Sequence, residues 1–316
     1  MPAAHSEKAD LDPRPPVLVV CGPTGIGKTT AAIRLAERFH GEIINADSMQ
    51  VYRHMDIGTA KPTAQEQQRA RHHLIDVVDP QEHFDAARFA AMARNAATDL
   101  RHHGLLPVLA GGTGLYIKAF LQGLFPAGAT DRRTRKALKK EAAAKGSHHL
   151  HQRLRRLDPE AAERIHPNDT VRLVRALETA LVTGRSLSQH HRRHAFADVP
   201  FRSLKIGLTM ERKRLYNRID RRVEAMIAAG LVEEVKGLLA AGCSADLKSM
   251  QSIGYRHMVG YLSGKLDFTE AVRTLKRDTR RFAKRQFTWF SADTSIRWTE
   301  PERLPELFPE IEAFLD

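Results

Sequence analysis

Gly22-Pro23-Thr24-Gly25-Ile26-Gly27-Lys28-Thr29 follows the apolar run Val17-Leu18-Val19-Val20. A strand that feeds a glycine-rich turn ending in Gly-Lys-Thr is the pattern of a phosphate-binding loop. Its glycines let backbone N–H groups wrap an anion, the Lys28 amine reaches the distal phosphates, and the Thr29 hydroxyl can ligate Mg²⁺. Gly22, Pro23, Thr24, Gly25, Ile26, Gly27, Lys28 and Thr29 are therefore the candidate polyphosphate site, with Thr29 as its metal ligand. Ala32, Leu35, Ala36 and Phe39 recur on one helical face, which predicts a helix opening at Thr29 and stopping at Gly41. Strand patterns at Val17 to Cys21, Glu42 to Asn45, Val108 to Ala110 and Ser203 to Thr209 alternate with helical stretches such as Ala86 to Arg101. That alternation predicts an α/β fold, a parallel sheet with helices on both faces. Pro107 must then begin its strand, since an interior proline removes a ladder hydrogen bond.

At 316 residues and 42% hydrophobic composition, the chain can fill one large α/β core plus a smaller unit. No apolar run approaches bilayer length, and Met1 to Pro16 lacks a signal-peptide hydrophobic region, so a cytoplasmic protein with no membrane partner is expected. Two cysteines, Cys21 and Cys243, exclude a disulfide framework and a cysteine-rich zinc site. Fifty Lys and Arg against 37 Asp and Glu leave a net charge of +13, which points to a polyanionic partner.

The strand signal disappears between about Pro126 and Pro200. The expected organisation is a flexible tail (1–14), the first part of the core (15–125), a helical insertion (126–200) and the second part of the core with basic C-terminal helices (201–316). The insertion is strongly cationic over Asp131 to Arg156. Its second half repeats Val171, Val174, Leu177, Ala180 and Leu181 at helical spacing. After Thr209 the pattern is helical throughout. Leu215, Ile219, Val223, Met226 and Ile227 define one face, with Arg214, Arg218, Arg221 and Arg222 off it. A last helix is predicted from Asp267, an N-cap with Glu270 placed for a capping box. Along it Arg273, Lys276, Arg277, Arg280, Arg281 and Lys284 form a cationic stripe with Asp278 as the sole acid before Trp289, so a polyanion is expected to neutralise it. The stripe runs into Lys284-Arg285-Gln286-Phe287-Thr288-Trp289-Phe290, whose aromatics either stack unpaired bases or anchor the helix in the core.

Asp47, in Asp47-Ser48-Met49-Gln50-Val51-Tyr52-Arg53, follows the second strand and faces the crevice where ligands of open α/β sheets bind. Such a carboxylate holds Mg²⁺, accepts a proton as general base, or caps the next turn. Gly111-Gly112-Thr113-Gly114 meets the same crevice. The Val108 to Ala110 strand ends without the acid of a motor-type nucleotidase, which argues against an ATP-driven motor. The pairs His72-His73, His102-His103 and His148-His149 lack a helical metal-ligand spacing and are assigned no metal.

Together these segments resemble the bacterial tRNA dimethylallyltransferases. The resemblance spans nearly the whole chain: the loop Gly22 to Thr29; Asp47 to Tyr52; Met55-Asp56-Ile57-Gly58-Thr59-Ala60-Lys61-Pro62; His72 to Asp76; Gly111 to Tyr116; His166 to Asp169 with Arg172 and Arg175; Ile253 to Arg256; and Lys284 to Trp289. It implies a P-loop NTPase-like parallel-sheet core with an inserted all-helical subdomain and a helical C-terminal segment. It also implies transfer of a dimethylallyl group from dimethylallyl diphosphate to N6 of the adenosine immediately 3′ of the anticodon in tRNA. On that resemblance the catalytic residues are Asp47 as the base and Lys28, Thr29 and Arg218 at the diphosphate, with Mg²⁺ as cofactor. The implied tRNA contacts are Asp47, Ser48, Met49, Gln50, Thr113 and Arg135. They also include Val171, Arg172, Leu173, Val174 and Arg175; Gln251, Ser252, Ile253, Gly254, Tyr255, Arg256 and His257; and Lys284, Arg285, Gln286, Phe287, Thr288, Trp289, Phe290 and Ser291. A monomer is expected. The chain departs from the family at Gly25-Ile26, where Ala-Ser is usual, and at His54, where glycine is common. The alternative is an ATP-dependent phosphotransferase with the arginine-rich insertion as a lid.

Overall fold

The structure, a computed structural model, describes residues 12–124, 131–194 and 199–316; most of the expected 1–14 tail and residues 126–130 and 195–198 of the expected insertion lie outside them. Six strands, β1 (Pro16–Cys21), β2 (Gly41–Asn45), β3 (His72–His73), β4 (Leu106–Gly111), β5 (Arg202–Leu208) and β6 (Ile296–Thr299), form one sheet in the order β3-β2-β4-β1-β5-β6. Every pairing is parallel. Val17, Leu18, Val19 and Val20 are buried on both faces, as a central parallel strand requires.

The helices in order are α1 (Lys28–Arg38), α2 (Ala64–Arg69), α3 (Ala86–His102), α4 (Gly114–Gln122), α5 (Arg132–Lys145), α6 (Ser147–Leu157), α7 (Pro159–Arg164), α8 (Thr170–Thr183), α9 (Leu187–His194), α10 (Arg212–Ala228), α11 (Leu231–Ala240), α12 (Tyr255–Leu262), α13 (Phe268–Ser291) and α14 (Phe308–Leu315). They fall into two compact units, one of Met1–Leu121 with Pro200–Asp316 and one of Gln122–Val199.

In the first unit β1 delivers the chain into the glycine loop and α1 leaves it. Helix α1 begins at Lys28, and Gly41 does not stop it. The helix ends at Arg38, His40 turns the chain with φ 51°, and Gly41 opens β2. Gly41 is required for a different reason: a Cβ there would lie 2.3 Å from the Leu106 carbonyl oxygen. Pro107 sits second in β4, paired with Glu42 of β2, and the ladder to β1 begins at Val108, so its missing N–H interrupts no bond to the central strand. The expectation of helix throughout after Thr209 is corrected by β6, which adds an edge strand beside β5. Its Ile296-Arg297-Trp298-Thr299 run carries β-branched and aromatic residues, and Gly207 leaves room for the Ile296 and Trp298 side chains. The two-residue β3 is too short to leave a periodic signal.

Asp267 caps α13 by accepting from the Glu270 N–H, but the Glu270 carboxylate grips Arg273 instead of closing a capping box. His54 stands in the left-handed region at φ 63°, which explains why glycine suits that position and costs a histidine conformational energy.

The second unit packs its helices around Leu138, Leu150, Leu154, Leu173, Val174 and Leu177. The face expected for α8 is rotated: Val171 is 81% exposed and Leu181 is also exposed, while Leu173, Val174, Ala176 and Leu177 are buried with Glu178. The apolar positions of this helix are wide enough for more than one face to look amphipathic, and packing chooses between them.

Candidate active site

The loop's geometry follows from its glycines. Gly22 adopts φ 138°, and a Cβ there would meet the Leu208 carbonyl oxygen at 2.8 Å; Gly27 adopts φ 108° and leads into α1 beside the Arg218 guanidinium. Ile26 is fully buried in the core, so the departure at this position fills the interior and leaves its backbone amide to the loop. The Lys28 amine donates to the Pro23 carbonyl at 2.9 Å. Burial pushes the amine down to about 8, an effect partly offset by the Asp47 carboxylate. The loop lines a cavity of about 360 Å³ together with Asp47, Gln50, Lys61, Arg218 and Arg222.

Asp47 lies where the sheet topology predicts, past the end of β2. Its Oδ1 accepts from the Met49 N–H at 2.8 Å and, more weakly, from the Gln50 N–H at 3.4 Å. No described residue hydrogen-bonds Oδ2. The carboxylate thus caps its own turn with one oxygen and lines the cavity as well. The turn is braced by the glycine-rich segment after β4. The Ser48 N–H donates to Thr113 Oγ1 at 3.1 Å, the Thr113 N–H donates to the Ala46 carbonyl at 3.2 Å, and a Cβ on Gly111 would lie 2.1 Å from the Ala46 oxygen. Gly112 and Gly114 are held equally close by α13, since Cβ atoms there would fall 2.2 Å from Gln286 Nε2 and 2.1 Å from Trp289 Nε1.

Gln50 is turned inward, donating from Nε2 to the Thr59 and Ala60 carbonyls. The motif Met55 to Pro62 is therefore a braced loop. Lys61 bridges Asp56, Asp76 and the Tyr52 carbonyl. Glu234 accepts from the Asp56, Ile57 and Gly58 N–H groups and from the Tyr255 hydroxyl. Burial, with the Glu234 carboxylate adding to it, raises that hydroxyl's pKa, so it stays protonated. Two cationic residues of the cavity lining, Arg222 and Lys61, were not among the expected site residues. Arg222 stands one helical turn beyond Arg218, a spacing that could have found it; its guanidinium is acidified by burial and countered by Asp47. Lys61 entered only as part of the Met55 to Pro62 resemblance, and loop packing brings it to the cavity.

The stretches expected to contact tRNA separate into exposed and structural residues. Near the end of α13, Lys284, Arg285, Thr288 and Ser291 are exposed, with Phe287 at 43% and Trp289 at 45%, whereas Gln286 and Phe290 are buried. Phe290 thus takes the core role that the sequence left open, while Phe287 and Trp289 are exposed. In the 251–257 stretch Gln251 and Arg256 are exposed, while Tyr255 and His257 are buried. Arg256, His257 and Arg277 converge on Asp278; burial opposes ionisation of this carboxyl, but those bonds hold it well below the carboxylate range. In α8 Val171 and Arg172 are exposed and Leu173 and Val174 are core. Arg135 and Arg175 both donate to Oε2 of Glu178, whose Oε1 has no partner among the described residues.

The cationic stripe of α13 is not bare. Lys276 pairs with Glu224 and Arg280 with Asp220, both from α10, while Arg273 pairs with Glu270 and Arg277 with Asp278. The charges expected to await a polyanion are thus partly neutralised by a neighbouring helix that the linear pattern does not reveal. Among the described residues Lys284 and Arg285 make no ion pair.

The Thr29 hydroxyl and the free Asp47 oxygen are hard donors lining one cavity with the loop, which fits Mg²⁺ held by few protein oxygens and by ligand phosphates. Among the described residues no cluster of three His, Cys, Asp or Glu side chains is placed to hold a metal ion, and no helix is long and apolar enough to cross a membrane.

The IPP transferase family model matches residues 50–293. The chain is 56% identical over 296 residues to the tRNA dimethylallyltransferase of Desulfosudis oleivorans, covering 94% of each. It is 50% identical over 299 residues to that of Geobacter metallireducens, covering 94% of this chain and 97% of the relative. Its fold is similar to the full-length tRNA isopentenylpyrophosphate transferase of Bacillus halodurans, with a TM-score of 0.71 and 40% identity over 95% of this chain and 96% of that one. It is also similar to a eukaryotic dimethylallyltransferase acting on tRNA, with a TM-score of 0.77 and 28% identity over 93% of this chain and 75% of that one. The family model spans residues 50–293 and the relatives at 50–56% identity cover most of the chain: it belongs to the IPP transferase family.

Proposed function

We propose that this chain transfers a dimethylallyl group from dimethylallyl diphosphate to N6 of the adenosine immediately 3′ of the anticodon in tRNA, releasing diphosphate, as a cytoplasmic monomer. The observation that carries the reading is the sharing of one cavity by the loop, Lys28, Arg218, Arg222 and the Asp47 carboxylate. The allylic C–O bond breaks as the N6–C bond forms. Negative charge grows on the departing diphosphate, and the loop amides, Lys28, Arg218 and Arg222 stabilise it most where it is greatest. The N6 lone pair is delocalised into the purine, so the amine becomes acidic only as the new bond forms; Asp47 accepts that proton. Mg²⁺, with Thr29 as its protein ligand, would supply further charge neutralisation on the diphosphate when bound. The target adenosine leaves its stack to reach the cavity, and the exposed aromatic and cationic side chains near the end of α13 suit an unpaired loop.

The test incubates the protein with Mg²⁺, an anticodon stem-loop carrying adenosine at that position, and either dimethylallyl diphosphate or ATP. A gain of one dimethylallyl group on the RNA, only with the isoprenoid, is expected. Unmodified RNA alongside ATP turnover on a small acceptor would favour the phosphotransferase instead.

A further inference from the structure

We infer that Gln286 is a positioning residue that couples the RNA-facing end of α13 to the diphosphate loop. This rests on the reading of that end as an RNA contact. Gln286 is 6% exposed, although its neighbours Lys284, Arg285, Phe287 and Thr288 are all exposed. Both ends of its amide are used. Oε1 accepts from the Thr24 N–H at 2.8 Å, and Nε2 donates to the Gly112 carbonyl at 2.8 Å. One side chain therefore joins three segments far apart in sequence: the phosphate loop, the glycine turn after β4, and α13.

The consequences for the donor site are direct. The Thr24 amide is occupied by Gln286, so it fixes the loop's conformation and leaves the later loop amides to the anion. Gly112 lies against the catalytic lysine, because a Cβ there would be 3.5 Å from Lys28 Nζ. Three residues on, Trp289 presses on Gly114, so the same side of α13 grips both ends of the turn that carries Thr113. The helix is thus a rigid bar, with the proposed RNA contacts on its outer side and the donor loop bolted to its inner side. RNA that orders the outer side chains also restricts Gln286, and diphosphate then binds a loop with less freedom left to lose. Linkage requires the converse, tighter RNA binding when diphosphate is present.

The test uses the full chain, with inorganic diphosphate and Mg²⁺ as the probe and calorimetry as the readout, with and without the anticodon stem-loop. In the wild type, RNA is expected to tighten diphosphate binding by about fivefold or more. Gln286→Met, close in volume but without the amide, is expected to weaken diphosphate several-fold and bring the ratio to one, with RNA affinity in the absence of diphosphate unchanged. Gly112→Ala approaches the same contact from the loop side and is expected to lose the coupling too, which keeps the test open should one variant fail to fold. A wild type that binds RNA but shows a ratio of one, or folded variants that keep the wild-type ratio, would overturn the coupling alone. A wild type that does not bind the stem-loop would overturn the RNA reading and the coupling with it.

Discussion

Lys284 and Arg285 should carry much of the salt dependence of RNA binding, whereas Lys276 and Arg280, on the same helix, should carry little. Lys276 and Arg280 are already neutralised, at 2.6 Å from Glu224 and 2.7 Å from Asp220. Lys284 and Arg285 are exposed and make no ion pair among the described residues. Each phosphate contact contributes about 0.7 to 0.9 to the slope of log K against log salt. Removing two contacts by Lys284→Ala with Arg285→Ala should flatten the slope by about 1.4 to 1.8. Between 50 and 200 mM salt, that amounts to roughly a tenfold smaller loss of affinity than in the wild type. The assay is fluorescence anisotropy of a labelled anticodon stem-loop across that salt range. Lys276→Ala with Arg280→Ala serves as the matched control of equal charge change and should alter the slope by less than about 0.5. If both pairs flatten it equally, net charge rather than local pairing governs the contact. If neither does, this end of α13 is not the RNA surface.

Asp47→Asn keeps an Oδ1 that can accept from the Met49 N–H and so preserves the turn, but it cannot take the N6 proton; turnover should fall about 10²- to 10⁴-fold with RNA affinity retained. Wild-type turnover in that variant would remove Asp47 from the chemistry. Gly114→Ala places a methyl 2.1 Å from Trp289 Nε1 and must displace the ring. RNA affinity should fall, and Gly114→Ala on a Trp289→Ala background should cost nothing further, whereas additive losses would separate the two positions. Tyr255→Phe removes the 2.6 Å bond to Glu234 while three backbone N–H groups still hold the carboxylate, so urea denaturation should show a loss of about 1–2 kcal/mol. A loss below about 0.5 kcal/mol would mean that those three bonds suffice for the carboxylate.

Much of the donor site is legible along the chain because its parts are local. The loop Gly22 to Thr29 is one contiguous segment with its own strand and helix, so residue types and spacing define its shape. The place of Asp47 needed only the rule that ligands sit past the carboxyl ends of parallel strands, whereas its role as a base entered through family resemblance. Arg218 entered through family resemblance, and Arg222 one turn later was within reach of the helical repeat. The tertiary structure decided which of several plausible faces is turned inward. Val171 and Val174 look alike in sequence, yet one is exposed and the other core, because neighbouring helices cover only one side of α8. Acids on α10 pair with two of the six cations of a stripe that reads as almost uniformly basic along α13. Gln286 could not be singled out among its exposed neighbours, since its partners are Thr24 and Gly112, 262 and 174 residues away. Periodicity and motif record what one segment can do by itself, so the sequence determined the phosphate loop, the parallel core and the cationic character of this protein. Which charges stay free, which aromatics face solvent and which amide ties the loop to the last long helix depend on contacts between distant segments, and only the folded chain decides them.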